Sequence, residues 1–321
     1  MIFEFVRFPA GICGCCRRRT YSGGNNYKSR RGTTQTNKMY QLIADSGSTK
    51  ADWRLVGPDG QTHAFQTDGF NPYYQRTGQI TDVLQAQLLP QLNGTAVENV
   101  FFYGAGCSGP AVNSIVADAL RAVFAGVQTI DVNSDMLGAA RAAAGRKPGI
   151  VCVLGTGSNA CCYDGSQITR GIQSLGFWLG DEGGGGYLGK TLVRALFQER
   201  LPTDLRDAFQ NRYALDRPTL LENAYQKPFP NRYFARFTPF LSENIAHPHV
   251  VGLVTDAFTL FLTTYVRQFP EADAWPVHFV GSVAHYFSEP LQRAILLADL
   301  TMGDVLKAPA ERLVEFHKWR A

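Results

Sequence analysis

What this chain lacks removes several classes of function. Its six histidines (His63, His247, His249, His278, His285, His317) form no H-x-x-x-H pair and no G-x-S-x-G occurs, so neither zincin chemistry nor an α/β-hydrolase nucleophile elbow is supported. No run of 18 or more uninterrupted apolar residues is present, so a conventional membrane-spanning helix is not expected and a soluble protein is. The seven cysteines do not make a disulfide framework. Cys13, Cys15 and Cys16 cluster near the start, where they have the chemistry to bind metal or accept a lipid, but no second Cys/His cluster completes a zinc site. Cys107, Cys152, Cys161 and Cys162 sit in apolar, strand-like stretches of the kind that bury free thiols. That usage predicts a reducing, cytoplasmic location.

Charge of one sign is also scarce once the chain is divided. Eight of the 31 basic residues, against one of the 27 acidic ones, lie in residues 1–38, which leaves the remainder at −3 although the whole chain is +4. The body therefore gives no electrostatic reason to expect nucleic acid. The first 38 residues are polar and unpatterned after an apolar opening interrupted by Glu4 and Arg7. They do not fit a secretory signal and are expected to be a disordered extension without enzymatic role, with Met39 a candidate start.

What is present is globular: 45% hydrophobic and 18% charged residues over 321 positions, enough for two domains. From Met39 the pattern predicts strands at 41–45, 50–56 and 61–67, a helix over 75–92, a strand at 99–104, a helix over 110–125, a strand at 127–132 and a helix over 135–145. A second start comes next, with strands at 149–155, 159–165 and 167–172. Laid side by side, the two starts match Gly47-Ser48 with Gly157-Ser158 and Asp59-Gly60 with Asp164-Gly165, a weak internal duplication. Beyond it, helices are expected at 185–199, 203–213, 248–268, from 283, and at 309–319, with a strand at 276–281. Residues 217–244, with four prolines, read as an irregular insertion.

Ala44-Asp-Ser-Gly-Ser-Thr-Lys50 joins two adjacent strands by a turn of small residues. Such a turn can converge backbone N–H groups and hydroxyls on a phosphate, with Asp45 at the strand end holding Mg²⁺ through water. A plain hairpin turn has the same composition. Residues 155–160, GTGSNA, fit the dinucleotide fingerprint, but a strand-like alternation comes after them where that fold needs a long helix, so a hairpin phosphate loop is the surviving reading. Residues 184–191, GGGYLGKT, match a P-loop to the letter. They lack a clean preceding strand, and Asp181 and Glu182 would place two carboxylates against a polyanion, so Lys190 is expected to be a solvated helix residue. Asp135 begins an Ala-rich helix past a strand end, either as an N-cap, for which Ser134 and Asp135 are both suitable, or as a general base at a cleft. Asn71 and Asp181 lie on Gly-rich, aromatic-flanked loops of the kind that bind sugar hydroxyls or simply make turns.

Together ADSGSTK, NPYY, SDMLGAA, LGTGSN, GDEGGGGY and VGSVA occur in the order seen in the N-acetylglucosamine kinase branch of the BadF/BadG/BcrA/BcrD-type ATPases, of the actin, hexokinase and Hsp70-like superfamily. The resemblance covers essentially all of 39–321. It implies an α/β fold of two ribonuclease-H-like domains flanking a cleft: 39–147 with a return helix in 306–321, and 148–305. It also implies that Gly47, Ser48, Thr49, Gly155, Thr156, Gly157 and Ser158 hold the ATP phosphates. Gly281 and Ser282 would lie by the adenosine, Asn71, Gly176 and Asp181 at the sugar, and Asp135 would be the general base. Lys50 is a further candidate for neutralising phosphate charge. Relatives usually show GDEGSG, whereas Gly184 replaces the serine here, which puts a hydroxyl contact at that point in question.

The expected activity is ATP- and Mg²⁺-dependent phosphorylation of an amino sugar, N-acetylglucosamine first among several. No nucleic-acid or membrane partner is expected, and a homodimer is left open. Two other classes remain. One is a reductase activator with an iron–sulfur cluster, against which Cys152, Cys161 and Cys162 fall on expected buried strands; the other is a catalytically silent sugar sensor.

Overall fold

The computed structural model describes residues 39–47 and 50–318. The expectations for residues 1–38 and for Ser48 and Thr49 lie outside the described residues.

The first sheet contains β1 (Tyr40–Ser46), β2 (Lys50–Val56), β3 (Thr62–Asp68), β4 (Val97–Gly104) and β5 (Thr129–Ser134), in the order β3-β2-β1-β4-β5. Its first three strands are antiparallel neighbours, and β4 and β5 run parallel to β1. The second sheet contains β6 (Gly149–Leu154), β7 (Ser158–Tyr163), β8 (Ile168–Gly171), β9 (Val277–Val280) and β10 (Met302–Leu306). Its order, β10-β9-β6-β7-β8, repeats the first with the same parallel and antiparallel senses. The α/β class and the duplication expected from the sequence are observed, and both sheets lie within the single unit Lys38–Ala321.

In the first lobe, α1 (Thr77–Val83) and α2 (Pro110–Val123) cover one face of the sheet, over a core that includes Trp53, Phe70 and Phe102. The predicted helix over 75–92 is α-helical only to Val83. It continues as a π turn, Leu84–Leu88, and a 3-10 turn, Leu89–Leu92, where Pro90 can donate no backbone hydrogen bond. The other face packs on α3 (Asp135–Ala144) and the closing α13 (Ala310–Lys318), with Ile43, Phe101, Tyr103, Ala142, Leu313 and Val314 buried between them.

Helix α3 also packs on the second sheet: Ala139, Ala140 and Ala143 share a buried cluster with Val151, Cys161 and Tyr163. A helix gripped from two sides must present small side chains, which accounts for its composition. At Gly138 an added Cβ would lie 2.8 Å from Tyr103 Cβ, so no side chain fits.

The second lobe is completed by α4 (Gly176–Leu179), α5 (Gly185–Phe197), α6 (Thr203–Tyr213), α7 (Arg217–Tyr225), α8 (Pro230–Ala235), α9 (Thr238–Glu243), α10 (Pro248–Thr264), α11 (Ser282–Tyr286) and α12 (Ser288–Leu297). The stretch expected to be an irregular insertion is therefore mostly helical. Pro218, Pro230 and Pro239 each stand in the first turn of a helix, where the missing N–H costs nothing. Strand β10 was not anticipated; it is short and half-buried at a sheet edge. The stretch Pro248–Gln268 is long and apolar enough to cross a membrane by composition. Here Val254, Phe258, Phe261 and Leu262 are buried in the second lobe's core.

The P-loop look-alike is a packing motif. Gly185, Gly186 and Gly189 belong to α5, and an added Cβ at Gly189 would fall 1.9 Å from the Phe234 carbonyl oxygen on α8. Gly189→Ala is expected to destabilise the fold by ~2 kcal/mol or more, read as a lower urea midpoint at unchanged slope. An unshifted midpoint would mean the two helices separate freely. Lys190 is not the solvated residue the sequence suggested. Its Nζ donates to the Phe177 carbonyl at 2.9 Å and lies 4.5 Å from the centroid of that ring. Burial holds its pKa below the ordinary lysine value.

Candidate active site

Asp45 is the penultimate residue of β1 and pairs in register with Asp52 of β2, so the turn after it begins at the carboxyl end of a central strand. Gly47 closes that turn with its N–H donating to the Lys50 carbonyl, 3.0 Å. Ser46, fully buried, accepts the Phe70 N–H on its Oγ at 3.1 Å and the Ala105 N–H on its carbonyl at 2.8 Å. These bonds tie the first turn to the ends of β3 and β4.

Asp135 comes directly after β5. The cap of α3 is Ser134, whose Oγ accepts the Leu137 N–H at 3.2 Å. Asp135 is thus relieved of capping and sits as the first helical residue, where its Oδ1 accepts the Met136 N–H at 2.8 Å. It opens onto a cavity of 280 Å³ also lined by Asp45, Gly47, Asn159, Gly281 and Lys307. The lining comes from the ends of β1 and β9, from β7, from the start of α3 and from the strap between β10 and α13. Strand ends at such a cleft are where α/β proteins place ligands.

Burial and mutual repulsion disfavour the charged forms of the cavity's two carboxylates. Asp45 is pushed up to about 7, first by burial, then by the charges of Asp135 and Asp52, against the pull of Lys50 and Arg54. Asp135 is also raised, by loss of water around it, despite the hydrogen bond from Met136. Its side chain is open to the cavity, but protein walls replace the bulk solvent on most sides, and the second effect governs its charge. Paired carboxylates that resist ionising fit a hard divalent cation, which takes one or two protein oxygens and fills its other positions with water and phosphate. Among the described residues no cluster of three or more metal-ligating side chains exists.

The second turn, Gly155 to Gly157, joins β6 to β7 as the hairpin reading requires. The N-terminus of α5 holds it, since the Gly185 and Gly186 N–H groups donate to the carbonyls of Gly155 and Thr156, each at 2.8 Å. Thr156 is exposed at the tip and Ser158 is buried. Gly281 lies against this turn: with φ of +131°, its added Cβ would sit 2.2 Å from the Leu154 carbonyl oxygen. Ser282 instead lines a separate cavity of 400 Å³, together with Thr238, Ser242, Glu243 and Tyr286. The absent serine at Gly184 also has a physical reason. A side chain there would meet the Gly157 backbone at 2.7 Å, so the motif gives up a hydroxyl for contact between α5 and the second turn.

Asp45, Gly47, Asp135 and Gly281 are thus brought together at one cavity, with Gly155 against Gly281. Asn71, Gly176 and Asp181 do not line it. Asn71 Oδ1 accepts the Tyr73 N–H at 3.1 Å within its own turn, and Gly106 packs against it. Gly176 opens α4 with φ of +71°. The Asp181 carboxylate turns towards the second loop, accepting the Ser158 N–H at 3.2 Å. Lys50 does not line the cavity either, and its ammonium is ion-paired with Asp52 at 2.9 Å. Two polar lining residues, Asn159 and Lys307, were not among the site residues expected from the sequence. Asn159 lay inside a strand-like run. For Lys307 the only signal was a lysine just ahead of the closing helix, two residues before Pro309.

Cys107, Cys152, Cys161 and Cys162 are buried, and desolvation raises each thiol, Cys107, Cys161 and Cys162 to about 12. Cluster ligation needs thiolates. Cys13, Cys15 and Cys16 lie outside the described residues.

No protein-family model and no curated protein matches the chain. Among solved structures, a candidate N-acetylglucosamine kinase from Porphyromonas gingivalis is 41% identical, with a TM-score of 0.81 over 86% of this chain and 98% of that one. A candidate N-acetylglucosamine kinase from Chromobacterium violaceum, 18% identical, matches at 0.66 over 87% and 98% of the two chains. A ROK family glucokinase from Streptomyces griseus, solved with glucose and AMPPNP and 16% identical, matches at 0.54 over 87% and 98%. The last two show the fold alone. The duplicated sheets and the 41% identity over nearly a whole relative place this chain in the N-acetylglucosamine kinase-like family of the actin/hexokinase-like superfamily.

Proposed function

We propose that this protein phosphorylates an amino sugar from ATP, most specifically N-acetylglucosamine on its 6-hydroxyl, with Asp135 as the general base. The observation that carries the reading is the single cavity that Asp135, Asp45 and Gly47 of the first turn line together with Gly281, against which Gly155 of the second turn packs. The sugar named for the 41% identical relative supplies the substrate class.

Phosphoryl transfer demands positioning and charge neutralisation more than covalent chemistry. Asp135 orients the sugar hydroxyl and takes its proton as the bond from that oxygen to the γ-phosphorus forms and the bond to the ADP oxygen breaks. The turns around Gly47 and Gly155–Ser158 cradle the phosphates, Gly281 and Ser282 flank the adenosine, and Asn71, Gly176 and Asp181 contact the sugar once the lobes close. Asp45 would hold Mg²⁺, which when bound would supply neutralisation of phosphate charge. Closure also excludes water, the competing acceptor.

An ADP-release assay across glucosamine, N-acetylglucosamine, N-acetylmannosamine and muramic acid derivatives, with Mg²⁺ and ATP, tests the proposal. Sugar-dependent ADP release with N-acetylglucosamine as the best acceptor is expected. Release indifferent to every sugar would overturn it.

A further inference from the structure

The cavity's charge balance raises a question the family motifs do not answer: which cation of this chain meets the polyphosphate. Lys50 is engaged by Asp52. Lys190 is bound inside the second lobe to Phe177, and Arg54 pairs with Glu311 at 2.7 Å. Among the described residues, the cation that lines the cavity is Lys307. It stands on the strap that leaves β10 of the second sheet for α13, which packs on the first lobe.

Its present partner is Tyr286. The Lys307 Nζ donates to Tyr286 Oη at 2.8 Å and lies 5.0 Å from the centroid of that ring. Tyr286 is 54% exposed and its hydroxyl is neutral, so this is a solvated, weakly held contact that an anion displaces at little cost. Tyr286 also lines the 400 Å³ cavity that contains Ser282. The pair therefore stands at the junction of two cavities, one holding the paired carboxylates and one beside Ser282.

We infer that Lys307 is the polyphosphate-binding cation of this site, leaving Tyr286 for the β- and γ-phosphates when nucleotide enters. The inference rests on the proposed binding of ATP and not on the identity of the sugar. An ammonium on a flexible stem suits the task, because it can follow phosphate charge as the lobes move.

Calorimetric titration of ATP and adenosine into wild type, Lys307→Met and Lys307→Arg tests it, with thermal melts confirming that each is folded. Lys307→Met is expected to weaken ATP on the order of 10-fold while leaving adenosine unchanged, and Lys307→Arg to restore most of the loss. Equal weakening of ATP and adenosine would reveal a structural role and overturn the assignment, as would unchanged ATP affinity. If wild type binds ATP with the expected lysine dependence yet phosphorylates no sugar, the kinase reading falls and Lys307 stands. If wild type binds no ATP, both fall.

Discussion

Asp135→Asn is expected to lower sugar-dependent ADP release by about 10²–10⁴-fold while leaving ATP affinity nearly intact. The amide keeps the volume and one hydrogen-bonding oxygen, so the Met136 N–H at 2.8 Å still finds its acceptor. The Ser134 cap is untouched. What disappears is the capacity to take the hydroxyl proton during transfer. Because burial raises the Asp135 pKa, the acidic limb of kcat/KM in the wild type should lie above the ordinary carboxylate range and be absent from the residual activity of the variant. Wild-type turnover by Asp135→Asn would remove the general-base assignment.

The second large effect concerns stability and is opposite in sign to its effect on function. Asp45 titrates at about 7 in the fold against an ordinary value of 3.8. Between those values the folded protein holds a proton that the unfolded chain has released, so the native state is favoured by protonation. That contribution is complete at the acidic end and is lost as pH rises through about 7. In protein free of metal and nucleotide, Asp45→Asn should therefore gain on the order of 3 kcal/mol over wild type at about pH 8 and almost nothing at about pH 4. Denaturant titrations in chelator at the two pH values read this directly. The variant should at the same time lose the stabilisation that Mg²⁺ with ATP gives the wild type. A gain independent of pH would show that Asp45 is not the strained carboxylate of this cavity. The pattern expected is a residue kept at a cost to the empty fold because its charge is needed when ligand arrives.

Much of the architecture is legible along the chain. The alternating strands after Met39 and Gly149, with their matched Gly-Ser turns and Asp-Gly bends, encode two copies of one sheet, since strand period and turn chemistry are local properties. Failure of GTGSNA as a dinucleotide loop is visible for the same reason: the residues after it alternate as a strand. The P-loop look-alike shows where local pattern stops. GGGYLGKT satisfies a motif, yet its glycines exist so that α5 can touch Phe234 of α8 and the backbone of Gly157. No spacing rule reveals which distant backbone a glycine faces. The prolines of 217–244 mislead likewise, because a proline opening a helix and one breaking a helix look alike until the flanking segments find something to pack on.

The sequence by itself determined the class of fold, its duplication and the positions of Asp45, Gly47, Asp135 and the second turn, all of which derive from periodicity and short-range turn chemistry. Only the tertiary structure decided which charges share a cavity. It paired Lys50 with Asp52, bound Lys190 to the Phe177 carbonyl and brought Lys307 from near the far end of the chain to line the cavity of Asp45 and Asp135. Charge interactions depend on distance through space and on the water removed between groups, and neither quantity is written along the chain.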